Sequence, residues 1–191
     1  MTATKAPTIF VACGSIRPQS YTRMAMELVC DELRKQGATV DAFDPRGIKI
    51  PFLGASFPET LEKDLQKRVK KADGLILCTP EYNSTYSSVM MSIVENLGYP
   101  SVCVGKVLNL LGVASGGIGA IRALDHLQTI LVHNGAIVLP GSVSIAGVHK
   151  IFDEKGKCSD KTSEEFIRSV ASSLLFYLRT GKVNQVGIKK V

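Results

Sequence analysis

The sequence predicts an α/β protein, a doubly wound sheet of five parallel strands with helices on both faces. Short strand-like runs (Ile9 to Ala12, Thr39 to Phe43, Gly74 to Thr79, Lys106 to Ala114 and Ala136 to Leu139) alternate with segments whose apolar residues recur three and four apart. That is the pattern of buried strands joined by amphipathic helices. Five strands connected in this way suit the order 2-1-3-4-5, in which a ligand crevice lies beyond the carboxyl ends of strands one, three and four. The chain's three unusual turns, Cys13 to Thr22, Thr79 to Ser84 and Ser115 to Gly119, follow those three strands. Turn residues scattered for local reasons would have no cause to gather on one rim.

The elements follow in order. Met24, Ala25, Leu28, Val29 and Leu33 carry the first helical repeat, which Gly37 stops ahead of the second strand. Asp44 to Pro58, with three prolines and two glycines, reads as a loop. The next helix has an apolar stripe of Leu61, Leu65, Val69 and Ala72, and its Lys67, Arg68, Lys70 and Lys71 read as a solvated face. After the third strand, a helix from about Ser87 to Leu97 carries Val89, Met90, Met91, Ile93, Val94 and Leu97. These cover more of the helix than one core-facing stripe requires, so a homo-oligomer with this helix between subunits is expected. The fourth strand leads through Ser115 to Gly119 into a helix from Ala120 to about Val132, then Gly135 and the fifth strand. A polar segment runs on through Cys158, and a last helix from about Ser163 to Arg179 turns Phe166, Val170, Leu174 and Leu178 inward. Residues 1–191 read as a single domain with residues 1–7 and 181–191 as mobile ends.

At 191 residues and 45% hydrophobic content the chain fills one core and is too short for two. Its five cysteines show neither Cys-x-x-Cys pairing nor zinc-ligand spacing, so no metal site is expected. No long apolar run opens the chain, and a cytoplasmic protein with reduced thiols and no membrane attachment is expected. The net charge of +6 is spread along the sequence and aromatic residues make up only 6%. Nucleic acid is therefore not the expected partner; a general attraction for anionic ligands is.

The turn from Cys13 to Thr22 carries the most chemistry. It joins a buried strand to a helix, leaving unpaired N–H groups at the helix's positive end, and adds the hydroxyls of Ser15, Ser20 and Thr22 and the cation of Arg17. One hydroxyl would read as a helix cap, but three with an arginine read as a phosphate cradle. The P-loop is excluded because no Gly-Lys-Ser or Gly-Lys-Thr occurs, and the dinucleotide fingerprint because Gly14 lacks its partner glycines. A cysteine phosphatase would use Cys13 as nucleophile, yet the arginine expected six residues on is Gln19. In the third turn, glycines allow close backbone approach to a ligand, although a sharp turn alone would also select them.

With these residues the chain resembles the NADPH-dependent FMN reductase family, which has a flavodoxin-like fold and includes quinone, azo-dye and chromate reductases. The resemblance spans about Ile9 to Leu178. It rests on Gly14-Ser-Ile-Arg-Pro-Gln-Ser20, on Thr79-Pro-Glu-Tyr-Asn83, on Ser115-Gly-Gly with Arg122-Ala123, and on Phe152-Asp-Glu154 with Gly156. It implies that Ser15, Arg17, Ser20 and Thr22 hold the FMN phosphate, with contacts from Gln19 and Tyr21. Pro80, Glu81, Tyr82 and Asn83 would run along the isoalloxazine, and Ser115, Gly116 and Gly117 would close its other edge. A flavin ring needs backbone donors and acceptors at its pyrimidine edge, a role expected of loops rather than regular strands. NADPH or NADH is the implied electron donor, and a homo-dimer or homo-tetramer the implied assembly. The sequence departs from the family at Ser84-Thr-Tyr-Ser-Ser-Val-Met-Met-Ser-Ile93, where relatives usually have Gly-Ser-x-Pro-Gly-x-Leu-Lys-Asn-Ala. That leaves flavin binding little affected but alters the mouth of the site.

The expected function is an enzyme that passes electrons from NAD(P)H through FMN to a quinone, free flavin, azo compound or similar small-molecule acceptor. A flavodoxin-like carrier without turnover is the alternative, disfavoured because carriers present acidic surfaces and this chain is basic. No side chain is expected to act as an obligatory acid, base or nucleophile. Cys13 and Cys78 have a blander reading as small residues suited to buried strand ends, His126 and His133 as residues in or beside a helix, and His149 as part of a polar segment.

Overall fold

In the computed structural model, residues 6–52 and 60–184 are described. Residues 1–5 and 185–191 of the expected mobile ends, and residues 53–58 of the expected loop, lie outside the described residues. The elements are β1 (Thr8–Cys13), α1 (Tyr21–Lys35), β2 (Thr39–Phe43), α2 (Thr60–Lys71), β3 (Gly74–Tyr82), β4 (Thr85–Tyr86), α3 (Ser88–Glu95), β5 (Val107–Val113), α4 (Ile121–His133), β6 (Ile137–Val138), β7 (Val143–Ile145) and α5 (Lys161–Thr180).

The main sheet path is β2-β1-β3-β5-β6, every pair along it parallel. With the small antiparallel β4 set aside, this is the order 2-1-3-4-5. Successive residues of β1 and β3 point to opposite faces, as the pleat demands. Ile9, Val11, Cys13, Ile76 and Cys78 pack with α1 and α5, while Phe10, Ala12, Leu75 and Leu77 pack with α2, α3 and α4.

Four expectations need correction. The fifth strand is broken: β6 pairs with Val107 and Leu108, and β7, in the segment expected to be a polar connection, pairs with Leu111 to Val113. Pro140, which has no N–H to give, and Gly141, at φ +91°, interrupt it. In α5 the inward stripe is Ile167, Val170, Ala171 and Leu174, and Phe166, one position ahead of it, is exposed. Arg68 is not a solvated charge. Its guanidinium lies 5.2 Å over the rings of both Phe10 and Phe43 and hydrogen-bonds Asp41 and the carbonyl of Ala42, fastening α2 to the edge strand. In α3 the chain itself buries Met90, Ile93, Val94 and, just beyond the helix, Leu97, so only Val89 and Met91 stay partly exposed.

Candidate active site

β3 outruns its neighbours. Its last partner on β1 is Cys78 opposite Cys13, and its last on β5 is Pro80 opposite Val113. The strand then folds back through Tyr82-Asn-Ser-Thr85 onto β4, with Asn83 and Ser84 at φ +51° and +62°, the left-handed pair of a two-residue hairpin turn. Pro80, Glu81 and Tyr82 therefore belong to a strand, not to the expected loop. Past these partners only β4 pairs with it, at Glu81 and Tyr82, so the opposite edge of the projecting end has no strand to take its backbone groups and can offer them to a ligand.

Beside this projection stands the turn from β1 to α1. Ser15, Ser20 and Thr22 are nearly inaccessible. Ser20 caps α1 by accepting the Arg23 N–H at 3.2 Å, and Ser15 Oγ accepts the Arg17 N–H at 3.4 Å. The capping reading of Ser20 and the cradle reading are compatible, since the cap takes only the third helical N–H and leaves those of Tyr21 and Thr22 without intrahelical acceptors. Arg17 has no carboxylate partner among the described residues; its guanidinium lies 5.5 Å over the Tyr82 ring, bridging two walls of the cleft. Behind the cradle, Phe152 stacks on Tyr21 with ring centroids 6.5 Å apart.

The third wall is the turn after β5. Gly119 has φ +80°, and a Cβ there would stand 2.5 Å from Ser144 Oγ, so backbone and neighbours both demand glycine. Gly116 and Gly117 are different: neither has a positive φ, and an added Cβ would meet no protein atom within 4 Å. The sharp-turn explanation thus fits Gly119 but not Gly116 or Gly117, whose missing side chains leave open space beside the backbone. Gly117→Ala is expected to leave the apoprotein's melting temperature unchanged and to weaken FMN binding, whereas Gly119→Ala lowers the melting temperature by about 2–8 °C, from a left-handed penalty of about 1–2 kcal/mol. Calorimetry beside FMN titration checks both; equal melting losses would refute the distinction.

Together these walls enclose a cleft of about 460 Å³, within the range of small-molecule sites. Ser15, Arg17, Gln19, Ser20, Tyr21, Thr22, Pro80, Glu81, Tyr82, Asn83, Ser115, Gly116 and Gly117, every residue singled out from the sequence, line it. Ser84, Ile118 and Gly119, which lie in the turns singled out but were given no site role, line it as well, as do Val113, Ala114, Arg122 and Val148. Val148 arrives because β7 returns beside β5 and the Val148 N–H bonds the Ala114 carbonyl at 3.0 Å, a contact hidden in a segment that reads as polar connection. Arg122 stood in a recognisable motif but had no assigned role.

Glu81 lines the cleft, but its carboxylate is committed elsewhere. The N-cap of α4, Ala120, has no capping side chain; Glu81 Oε2 instead accepts the Ala123 N–H at 3.0 Å and Ser144 Oγ the Ala120 N–H at 2.8 Å. One turn on, His126 Nδ1 meets Thr85 Oγ1 at 3.1 Å, so the hairpin is fastened to α4 at two points. The thiols stand apart from the cleft: Cys13 and Cys78 are fully buried, and burial pushes Cys13 up to about 11 and Cys78 well above the ordinary thiol range. A neutral thiol at physiological pH does not serve as a phosphatase nucleophile.

A doubly wound sheet with a ligand cleft beyond the carboxyl ends of its central strands defines a flavodoxin-like protein. Residues 7–150 match the family model for NADPH-dependent FMN reductase. The chain belongs to that family, an oxidoreductase family whose cofactors are FMN and NAD(P)H. It is 27% identical to an NADPH azoreductase of Bacillus sp. strain OY1-2 over 95% of this chain and 99% of the relative. It is also 27% identical to an NAD(P)H-dependent FMN reductase of Pseudomonas aeruginosa, over 87% and 92%. The flavoenzyme NAD(P)H:(acceptor) oxidoreductase FerB of Paracoccus denitrificans shares the fold at a TM-score of 0.74 and 21% identity, covering 91% of this chain and 98% of that one.

The cleft fits such a cofactor. Buried hydroxyls, a helix N terminus and an arginine without a carboxylate partner among the described residues suit a phosphate, and two lining glycines with open space beside them suit close approach of a ring to the backbone.

Proposed function

We propose that the protein is an FMN-dependent NAD(P)H oxidoreductase delivering electrons to a quinone, a free flavin, an azo compound or a similar small acceptor. The observation that carries this reading is the opening of three chemically distinct walls onto one cleft: hydroxyls with an arginine, a projecting strand end, and a glycine pair with room beside it. Ser15, Arg17, Ser20 and Thr22, with the N–H groups of Tyr21 and Thr22, bind the phosphate; Gln19 and Tyr21 add contacts at the same end. The peptides of Pro80 to Asn83 border one edge of the ring and those of Ser115 to Gly117 the other. Tyr82 and Ile118, both exposed at the cleft, screen the ring from water. When bound, FMN supplies the hydride-accepting and electron-donating chemistry.

The protein's part is to hold, orient and leave one face open, and no side chain moves an obligatory proton. Cys13 and Cys78 are neutral and buried, His126 is engaged with Thr85, and His133 and His149 lie at the surface. One face serving donor and acceptor in turn gives ping-pong kinetics. Single replacements of these five residues are expected to keep turnover within about a hundredfold of the wild type, the low end for removal of a general acid or base. NAD(P)H varied at several quinone concentrations is expected to give parallel double-reciprocal lines. A larger loss with FMN still bound, or intersecting lines, would overturn the mechanism.

The reading includes a cytoplasmic homo-dimer or homo-tetramer without nucleic-acid partners. Among the described residues no helix is long and apolar enough to cross a membrane. Val89 and Met91 of α3 are the apolar surface left for a second subunit. Light scattering at micromolar concentration is expected to give a multiple of 20.6 kDa, and a monomeric mass would refute the assembly.

A further inference from the structure

We propose that Ser87, which does not line the cleft, is a positioning residue for the phosphate cradle; the proposal rests on the reading of that cradle as the FMN phosphate site. Ser87 is 2% exposed and sits between three elements. Its hydroxyl oxygen caps α3 by accepting the Met90 N–H at 3.1 Å, and its own N–H reaches Thr79 Oγ1 at 3.4 Å. Its hydroxyl proton goes to the carbonyl of Gly14, the residue just ahead of Ser15.

The consequence follows from peptide geometry. In a planar trans peptide the C=O of one residue and the N–H of the next point in opposite directions. The Gly14 N–H is fixed to the Cys78 carbonyl at 2.7 Å. Holding the Gly14 carbonyl toward the start of α3 then fixes the rotation of the Gly14–Ser15 peptide and turns the Ser15 N–H the other way. Side-chain packing reinforces this, because a Cβ on Gly14 would stand 3.0 Å from Met90 Cε and 3.1 Å from the Cys78 carbonyl oxygen. The Gly14 peptide is thus clasped against β3 and α3.

The test compares Ser87→Ala, Ser87→Thr and Asp160→Ala. Asp160 caps α5 by accepting the Ser163 N–H at 2.9 Å and does not line the cleft, so its replacement controls for the loss of a helix cap. Ser87→Ala is expected to weaken FMN binding about tenfold, the low end for a contact to a charged group. Riboflavin, which has no phosphate, is expected to bind as tightly as it does to the wild type. The carbonyl carbon resonance of Gly14 in the ligand-free protein shifts in Ser87→Ala and returns in Ser87→Thr, which also restores FMN affinity. Asp160→Ala lowers the melting temperature by about 2–4 °C and leaves FMN affinity alone.

Unchanged FMN affinity in Ser87→Ala, or equal losses for FMN and riboflavin, would overturn the positioning role. An unmoved Gly14 resonance would overturn the hydrogen bond beneath it. A wild-type protein that binds riboflavin as tightly as FMN would overturn the phosphate reading itself, and the role of Ser87 with it. The ligand-free Gly14 resonance separates that failure from a failure of the clasp.

Discussion

Arg17→Ala is expected to raise the Kd for FMN by about one to two orders of magnitude while the apoprotein melts within about 4 °C of the wild type. A hydrogen bond from a guanidinium to a phosphate contributes about 1.5–3 kcal/mol. Arg17 has no competing carboxylate among the described residues, so its charge is free for that contact. What the fold itself loses is the stacking over Tyr82, about 0.5–1 kcal/mol at an exposed site, which corresponds to about 1–4 °C at this chain length. Arg17→Lys restores the point charge but not the planar fork, and is expected to lie between the two. Titration by quenching of flavin fluorescence reads all three. An Arg17→Ala protein that binds FMN normally would remove arginine from the cradle.

Phe10→Ala is expected to be the most damaging of these replacements for folding, lowering the melting temperature by about 6–20 °C. Phe10 is almost fully buried in β1, its ring 6.3 Å from that of Phe43, with the Arg68 guanidinium over both. Emptying such a site costs about 3–5 kcal/mol, against a total of about 5–15 kcal/mol for a domain. The damage centres on the packing of α2 against β1 and β2, away from the cleft. FMN at about a hundred times its Kd is therefore expected to return about 2.7 kcal/mol to the variant, as it does to the wild type. Thermal unfolding with and without FMN checks both, and a fall of less than about 4 °C would show that this cluster does not hold α2.

Much of this architecture was legible because strands and helices of a doubly wound sheet announce themselves by period. The three turns stood out because hydroxyl, proline and glycine clusters are expensive in regular structure, and all the residues chosen from them meet in one cleft. What escaped depends on neighbours rather than on period. Arg68 belongs to a run of four cations, and only the two phenylalanines beneath it and Asp41 beside it separate it from the lysines. The stripe of α5 could be read one residue early because Phe166 and Ile167 are both apolar, and only packing into the core distinguishes the buried Ile167 from the exposed Phe166. β7 is three residues long and pairs with a strand some thirty positions earlier, which no local pattern encodes. The side chain of Glu81 sits in the motif where it was expected, yet it caps a helix forty residues on.

The central claim is that the turn from Ser15 to Thr22 is a phosphate cradle serving a flavin cleft. Its most direct test is calorimetric titration of the apoprotein with FMN and, separately, with riboflavin. One FMN per chain is expected, bound at least about tenfold more tightly than riboflavin, the preference set by contacts to a charged group. Equal affinity for the two flavins, or no binding of FMN, would contradict it.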